Sequence, residues 1–549
     1  MRQLGFLSPT NQPKKEKVAE TLIVPTKFTH SICLGETGCG KTTCFIYPNL
    51  NERIKQNHGI LFYDYKGKES AAVKAIADDN RRLKDIVEIG VPWGTKINLI
   101  KYMNEAEIRN MTISLLGLDD KDPYWSTTGA NIVVSLWRVI KSYINILDES
   151  KLLDCNSRFK EEVKSNKLPT VLTFNSIAEI TKTQKNIIHF VKAVHKISYS
   201  FQVLSKDILK EALEDSLEDD VIIKYESLVM KVLELSQNAK KDMQPLSVFV
   251  EADKEGSKST TFQTIILSLS TTLATISTLE EFNSDEVDLY NQLNKGKIVI
   301  VNTSTISSEA LGYFTGSLLH ELSKRVTQKK IKAVSVYIDE AQRVLNPTVD
   351  LYIDILREAK VEIFLSAQNI NLLIEAIGEN KFTALYQNLT QRYHFKNAMT
   401  YDGLKLGKLD QYEYYVNNNK KVLKAKPLYL KNKKLFKAQL KYLRKNNVYD
   451  KFNLQEHENG NILVFNSNLY KENKIFVEAK DGSTRVVELK DKVLADKAFD
   501  FISDTLMDYS DSDYESSIKQ SEQDKILKLF QKKMDKTQEQ EPETEDIWE

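Results

Sequence analysis

Cysteine is scarce in this chain: four stand among 549 residues, and none belongs to a C-x-x-C pair. Cys33, Cys39 and Cys44 crowd one short segment and Cys155 stands alone. That excludes a disulfide scaffold and a cysteine-held zinc site, and fits a reducing compartment. Long apolar runs are missing too. The best candidate, Phe262 to Leu279, is broken repeatedly by Ser and Thr, whereas crossing a bilayer takes about 18–20 apolar residues. Met1 to Pro9 carries no signal-peptide hydrophobic stretch. The expectation is a cytoplasmic protein that reaches a membrane only through partners. There is no internal repeat, and the net charge of +1 favours neither polyanions nor polycations on its own. What remains is 41% hydrophobic and 28% charged, the composition of a soluble globular chain with room for roughly two to four domains.

Within that background one short segment carries chemistry. Gly35-Glu36-Thr37-Gly38-Cys39-Gly40-Lys41-Thr42 matches G-x-x-x-x-G-K-[ST]. Glycines at these places let backbone N–H groups approach a phosphate chain, the lysine reaches the β- and γ-phosphates, and the hydroxyl binds Mg²⁺. Gly35 to Thr43 are therefore the expected nucleotide-binding residues. Phe28 to Leu34 reads as a strand, and Thr42 opens a helix whose N-terminus attracts anions. Much later, Val336-Tyr337-Ile338-Asp339-Glu340 is an apolar strand ending in two carboxylates. Carboxylates so placed hold a magnesium shell and polarise an attacking water. Lys41 and Glu340 are the expected catalytic groups, Thr42 and Asp339 the metal ligands, and ATP with Mg²⁺ the cofactors of an ATPase.

Strands alternate with helices around these motifs. Gly59–Asp64, Lys84–Ile89, Lys297–Asn302, Val334–Ile338 and Val361–Ser366 read as strands, and Trp125 to Tyr143 as a long helix. Such alternation specifies an α/β domain with a largely parallel sheet. From 147 to 256 the chain is rich in Lys, Glu, Leu and Ser, and Leu209, Leu213 and Leu217 fall four apart on one helical face. The resulting division is an arm over 1–28, ATPase parts over 29–146 and 257–403, and a mainly helical insertion over 147–256. A basic region over 404–507 and a polar, acidic, disordered tail over 508–549 follow.

The order of the smaller motifs narrows the family. Ile46-Tyr47-Pro48-Asn49-Leu50 follows the phosphate loop, then Asp64-Tyr65-Lys66-Gly67-Lys68-Glu69, Ile97-Asn98-Leu99-Ile100, and Tyr124-Trp125 before Gly129-Ala130-Asn131. This series resembles the TraG/TraD-type coupling proteins of conjugation and type IV secretion, within the FtsK/HerA group of DNA-pumping P-loop ATPases. It covers roughly Thr29 to Ile146 and Phe262 to Phe395. Tyr65 and Leu99 stand where that family usually has proline, Lys68 intrudes before Glu69, and the family's N-terminal transmembrane helices are not found.

The resemblance implies a RecA-like domain, a hexameric ring around DNA, and relaxase or secretion-system partners. It also implies that Arg357 serves a neighbouring subunit's nucleotide and that Gln368 senses the γ-phosphate. Gln391 and Arg392 are further candidates. A HerA-like motor working with a separate nuclease, and an adaptor that binds nucleotide without turning it over, are the rival readings. Lys420 to Lys445 holds eleven basic residues and no acid, with Tyr429, Phe436 and Tyr442 interleaved. That pattern fits a phosphate-binding surface, a docking site for an acidic partner, or a solvated lysine-rich face. Asp64 and Lys66 are candidates for lining the nucleotide cleft or a subunit interface, or for a plain turn residue and a surface lysine, and Trp125 is expected in the core rather than on DNA.

Overall fold

The computed structural model describes residues 20–440, with breaks at 26, 92, 117–122, 215–218, 255–259, 329–330, 348–350, 399–402, 435 and 438–439, and three strands beyond. The acidic tail and the arm before residue 20 lie outside the described residues, as do Leu217, Tyr442, Arg444, Lys445 and the side chain of Trp125.

Ten strands form one sheet: β1 (Glu20–Thr21), β2 (Ser31–Leu34), β3 (Gly59–Asp64), β4 (Ile86–Ile89), β5 (Ile298–Asn302), β6 (Val334–Ile338), β7 (Val361–Ala367), β8 (Gln391–Phe395), β9 (Glu413–Val416) and β10 (Leu423–Ala425). Their spatial order is β1-β10-β9-β8-β2-β7-β6-β3-β5-β4. From β8 to β4 every pairing is parallel, whereas β8–β9 and β9–β10 are antiparallel. A separate three-stranded antiparallel sheet holds β11 (Gly460–Val464), β12 (Lys474–Ala479) and β13 (Thr484–Glu488).

The central strands are buried along their whole length, as parallel strands covered on both faces must be. Alternation still assigns each side chain to a layer. Ile60 and Phe62 of β3 join Phe45, Leu50, Ile54 and Val73 on one face, while Leu61 and Tyr63 join the opposite core with Ile140, Tyr143 and Leu318. The first layer is made by α1 (Tyr47–Lys55), which continues a π-helical turn over Thr42–Ile46, and by α2 (Ser70–Asp79).

Between β4 and β5 the described α-helices are α3 (Glu105–Leu116), α4 (Pro123–Leu152), α5 (Asn156–Ser165), α6 (Phe174–Thr181), α7 (Gln184–Glu214), α8 (Asp219–Asp242), α9 (Gln244–Lys254), α10 (Thr260–Ser277) and α11 (Leu289–Asn294). This helical stretch is wider than 147–256, and the expected boundary at 146/147 falls inside α4. On α7 the buried face runs through Ile187, Val191, Val194, Ile197, Phe201, Ser205, Ile208 and Ala212. Leu213 is exposed, so the leucine spacing marks the flank of the apolar stripe rather than its centre. No helix among the described residues is long and apolar enough to cross a membrane.

The second half supplies α12 (Ser308–Ser323), α13 (Ala341–Val344), α14 (Ile353–Leu356), α15 (Ile370–Ile377) and α16 (Glu379–Asn388). Together with the sheet order, they complete an α/β domain with a mostly parallel sheet and a large set of helices between β4 and β5.

Candidate active site

In a parallel sheet the loops after the strands share one edge, where ligands bind. β7 separates β2 from β6, so the phosphate loop, Gln368 and the Asp339-Glu340 pair emerge side by side. Gly38 and Gly40 take φ of +84° and +108°, a conformation that side chains oppose. A Cβ on Gly38 would meet nothing within 4 Å, whereas one on Gly40 would lie 2.5 Å from the Tyr412 ring. Lys41 is buried and donates to the carbonyl oxygens of Gly35 and, at 3.0 Å, Glu36. Its ammonium is thus held inside the loop, over ground a phosphate can occupy. Thr43 donates to the Gly40 carbonyl at 3.2 Å, and Thr42 begins the helical turn.

The acidic pair is shaped by its backbone. Glu340 sits at φ 54°, ψ 51°, which costs a non-glycine residue about 1–3 kcal/mol and recurs at functional sites. Its N–H donates to Asp339 Oδ1 at 3.1 Å. Burial pushes the Asp339 carboxyl up, and the neighbouring Glu340 adds to the effect, so a cation there would relieve an unfavourable charge. Burial also acts to raise Glu340, but the Lys66 ammonium and the Gln342 amide outweigh it and hold that carboxyl below its usual range. Gln368 Nε2 lies 3.4 Å from Glu340 Oε2. Asp64, at the end of β3, accepts the N–H groups of Lys68 and Ser70 at 3.1 and 2.8 Å, yet burial still pushes it up to about 6.

Three candidates are not brought to this edge. Arg357 is exposed just before β7 starts, at the end of the sheet opposite its own phosphate loop. Arg392 donates to the carbonyls of Leu389 and Tyr386 and lies over the Tyr386 ring, a tie within its own segment. Gln391 opens β8 at the start of that strand. The Asn98 motif is a structural joint: its amide donates to the Leu172 carbonyl at 2.6 Å and its backbone bridges Asn283. The thiols of Cys33, Cys39 and Cys44 are pushed up by burial, which leaves them unreactive.

Several contributors were not singled out from the sequence. Gln342 donates to Glu340 Oε2 at 2.6 Å. The segment from Gln411 to Lys433 straps the phosphate loop. Gln411 donates to the Gly38 carbonyl at 3.2 Å, the Tyr412 N–H to Cys39 at 3.1 Å, and the Leu428 N–H to Thr43 at 2.9 Å. Lys433 reaches the Tyr47 hydroxyl and Glu69, lying over the Tyr47 ring. Part of the basic stretch is therefore scaffolding, while Lys420, Lys421, Lys426, Lys431 and Lys437 are exposed. No local pattern announces the strap, because its partners lie hundreds of residues earlier.

No protein-family model matches the chain, and no curated protein sequence matches it. Among solved structures it is similar to the bacterial conjugative coupling protein TrwB lacking its first 70 residues, at 10% identity and a TM-score of 0.42, covering 73% of this chain and 85% of that one. A second TrwB structure, in complex with the ATP analogue ADPNP, aligns at 11% identity and a TM-score of 0.41, over 73% and 85% of the two chains. VirB4 of Thermoanaerobacter pseudethanolicus aligns at 11% identity and a TM-score of 0.38, over 73% of this chain and 89% of its own.

Proposed function

We propose that this chain is a Mg²⁺-dependent ATPase that drives DNA translocation, a coupling ATPase of the conjugative, type IV secretion kind. The observation that carries the reading is the meeting of Lys41, Gln368 and the Asp339-Glu340 pair at one edge of β2, β7 and β6. Bound Mg·ATP supplies the phosphoanhydride to be cleaved and a cation that offsets its charge. Gly35 to Thr43 cradle the phosphates, with Lys41 turning from loop carbonyls to phosphate oxygens. Thr42 and Asp339 would hold the cation, which needs only one or two protein oxygens beside phosphates and water. Glu340, ionised by its neighbours, orients the attacking water and takes its proton, and Gln368 bridges that carboxylate to the terminal phosphate. Arg357, exposed on the opposite side, serves the next subunit of a hexameric ring. The exposed lysines of the strap segment give sequence-tolerant, salt-sensitive contact with DNA phosphates.

The test is ATP turnover by the full chain with and without single- and double-stranded DNA, beside Glu340→Gln. Turnover that DNA raises and Glu340→Gln abolishes is the expected result. Nucleotide binding without turnover on either DNA would overturn the autonomous motor in favour of a nucleotide-binding adaptor.

A further inference from the structure

Lys66 stands on the turn between β3 and α2, and its ammonium pairs with Glu340 Oε1, a residue 274 positions later. The other carboxylate oxygen takes the amides of Gln342 at 2.6 Å and Gln368 at 3.4 Å. Both oxygens of the expected base are therefore engaged. A carboxylate that activates water needs a lone pair directed at it, and an ammonium seated on that carboxylate competes for the place. The Lys66 side chain is 49% exposed against 10% for Glu340, so the lysine is the partner free to leave. Gly67 beside it has φ 61°, a turn conformation natural to glycine.

We propose that Lys66 is a positioning residue that restrains Glu340 while the phosphate loop is empty and releases it when a nucleoside triphosphate fills the loop. A polyphosphate is a denser anion than one carboxylate, and a half-exposed lysine can turn to it while Glu340 keeps its two amide donors. The inference rests on the ATPase reading and assigns the resting state of its base.

The test is a double-mutant thermal cycle on the nucleotide-free full chain with Lys66→Met, Glu340→Gln and the pair. Lys66→Met should lower Tm by about 1–2 °C, with Glu340→Gln costing little more in that background. The coupling should vanish in saturating Mg²⁺ and a non-hydrolysable ATP analogue. DNA-free turnover at ATP concentrations below KM should rise about fivefold in Lys66→Met, the factor commanded by a partly exposed ion pair, the rise should shrink as ATP saturates the loop, and Lys66→Arg should restore the restraint. Absence of coupling without nucleotide, coupling unchanged by the analogue, or DNA-free turnover that falls as in Glu340→Gln would each overturn the proposal. A wild type without turnover would count against the ATPase reading alone, because the cycle reads the pair without catalysis.

Discussion

Replacing Glu362 with glutamine should cost the fold about 3–5 kcal/mol, the range for breaking a buried ion pair on one side. Glu362, on β7, is fully buried, and it takes Arg53 Nε at 2.6 Å on one oxygen and Arg53 Nη2 at 3.2 Å on the other. The Ser335 hydroxyl adds a donor at 2.7 Å, and that hydroxyl meets His58 Nδ1 at 2.8 Å. The Arg53 side chain is only 5% exposed and packs over the Phe364 ring. Glutamine keeps the shape but leaves the guanidinium without a countercharge, where water cannot reach it. Against a total stability of about 5–15 kcal/mol the loss is large, and it falls on α1, the helix that carries the phosphate loop. Urea unfolding of the nucleotide-free protein, followed by far-UV circular dichroism, measures it. The Arg53→Met/Glu362→Gln double variant should recover part of the loss, because it removes the stranded charge. A cost below about 1 kcal/mol, or a double variant worse than the sum of the singles, would refute the reasoning.

Acid should weaken the fold through two histidines. Burial lowers His30 and His58 from 6.5 to about 4. Between those values the unfolded chain binds protons that the folded one refuses, so their contribution is complete above pH 6.5 and is lost on acidification towards pH 4, at up to about 3 kcal/mol each. Asp64, raised to about 6, acts in the opposite sense, so the measurement is the difference between wild type and His58→Gln across that window. Equal pH slopes would refute it. Gly40→Ala should abolish binding of a fluorescent ATP analogue while unfolding stays cooperative, because alanine resists φ of +108° and its Cβ would strike Tyr412. Affinity within about twofold of wild type would be the contrary result.

The sites legible in the sequence were those whose chemistry is local. A phosphate loop is contiguous because consecutive backbone N–H groups make it, and Asp339-Glu340 announces itself by ending an apolar strand. β3 and β6 match their expected bounds because buried parallel strands are short apolar runs with sharp ends. Leu213 misled because a residue every four positions drifts around a helix of 3.6 residues per turn, and only packing shows which flank is covered. The strands β9 and β10 near the sheet edge are only four and three residues long, and Glu413, Val416, Leu423 and Lys424 in them are half-buried, a pattern equally suited to a solvated loop.

The sequence by itself determined the α/β fold class and located the glycine-rich loop and the two acids at strand ends, since each depends on residues within one turn or strand. Tertiary structure alone decided that β7 lies between β2 and β6, bringing Gln368 to Glu340, that Lys66 pairs with that carboxylate, and that the basic segment doubles as a strap on the loop. Those are meetings between distant segments. Strand order and side-chain pairing follow from how the layers close over one core, and that closure leaves no mark on any short stretch of chain.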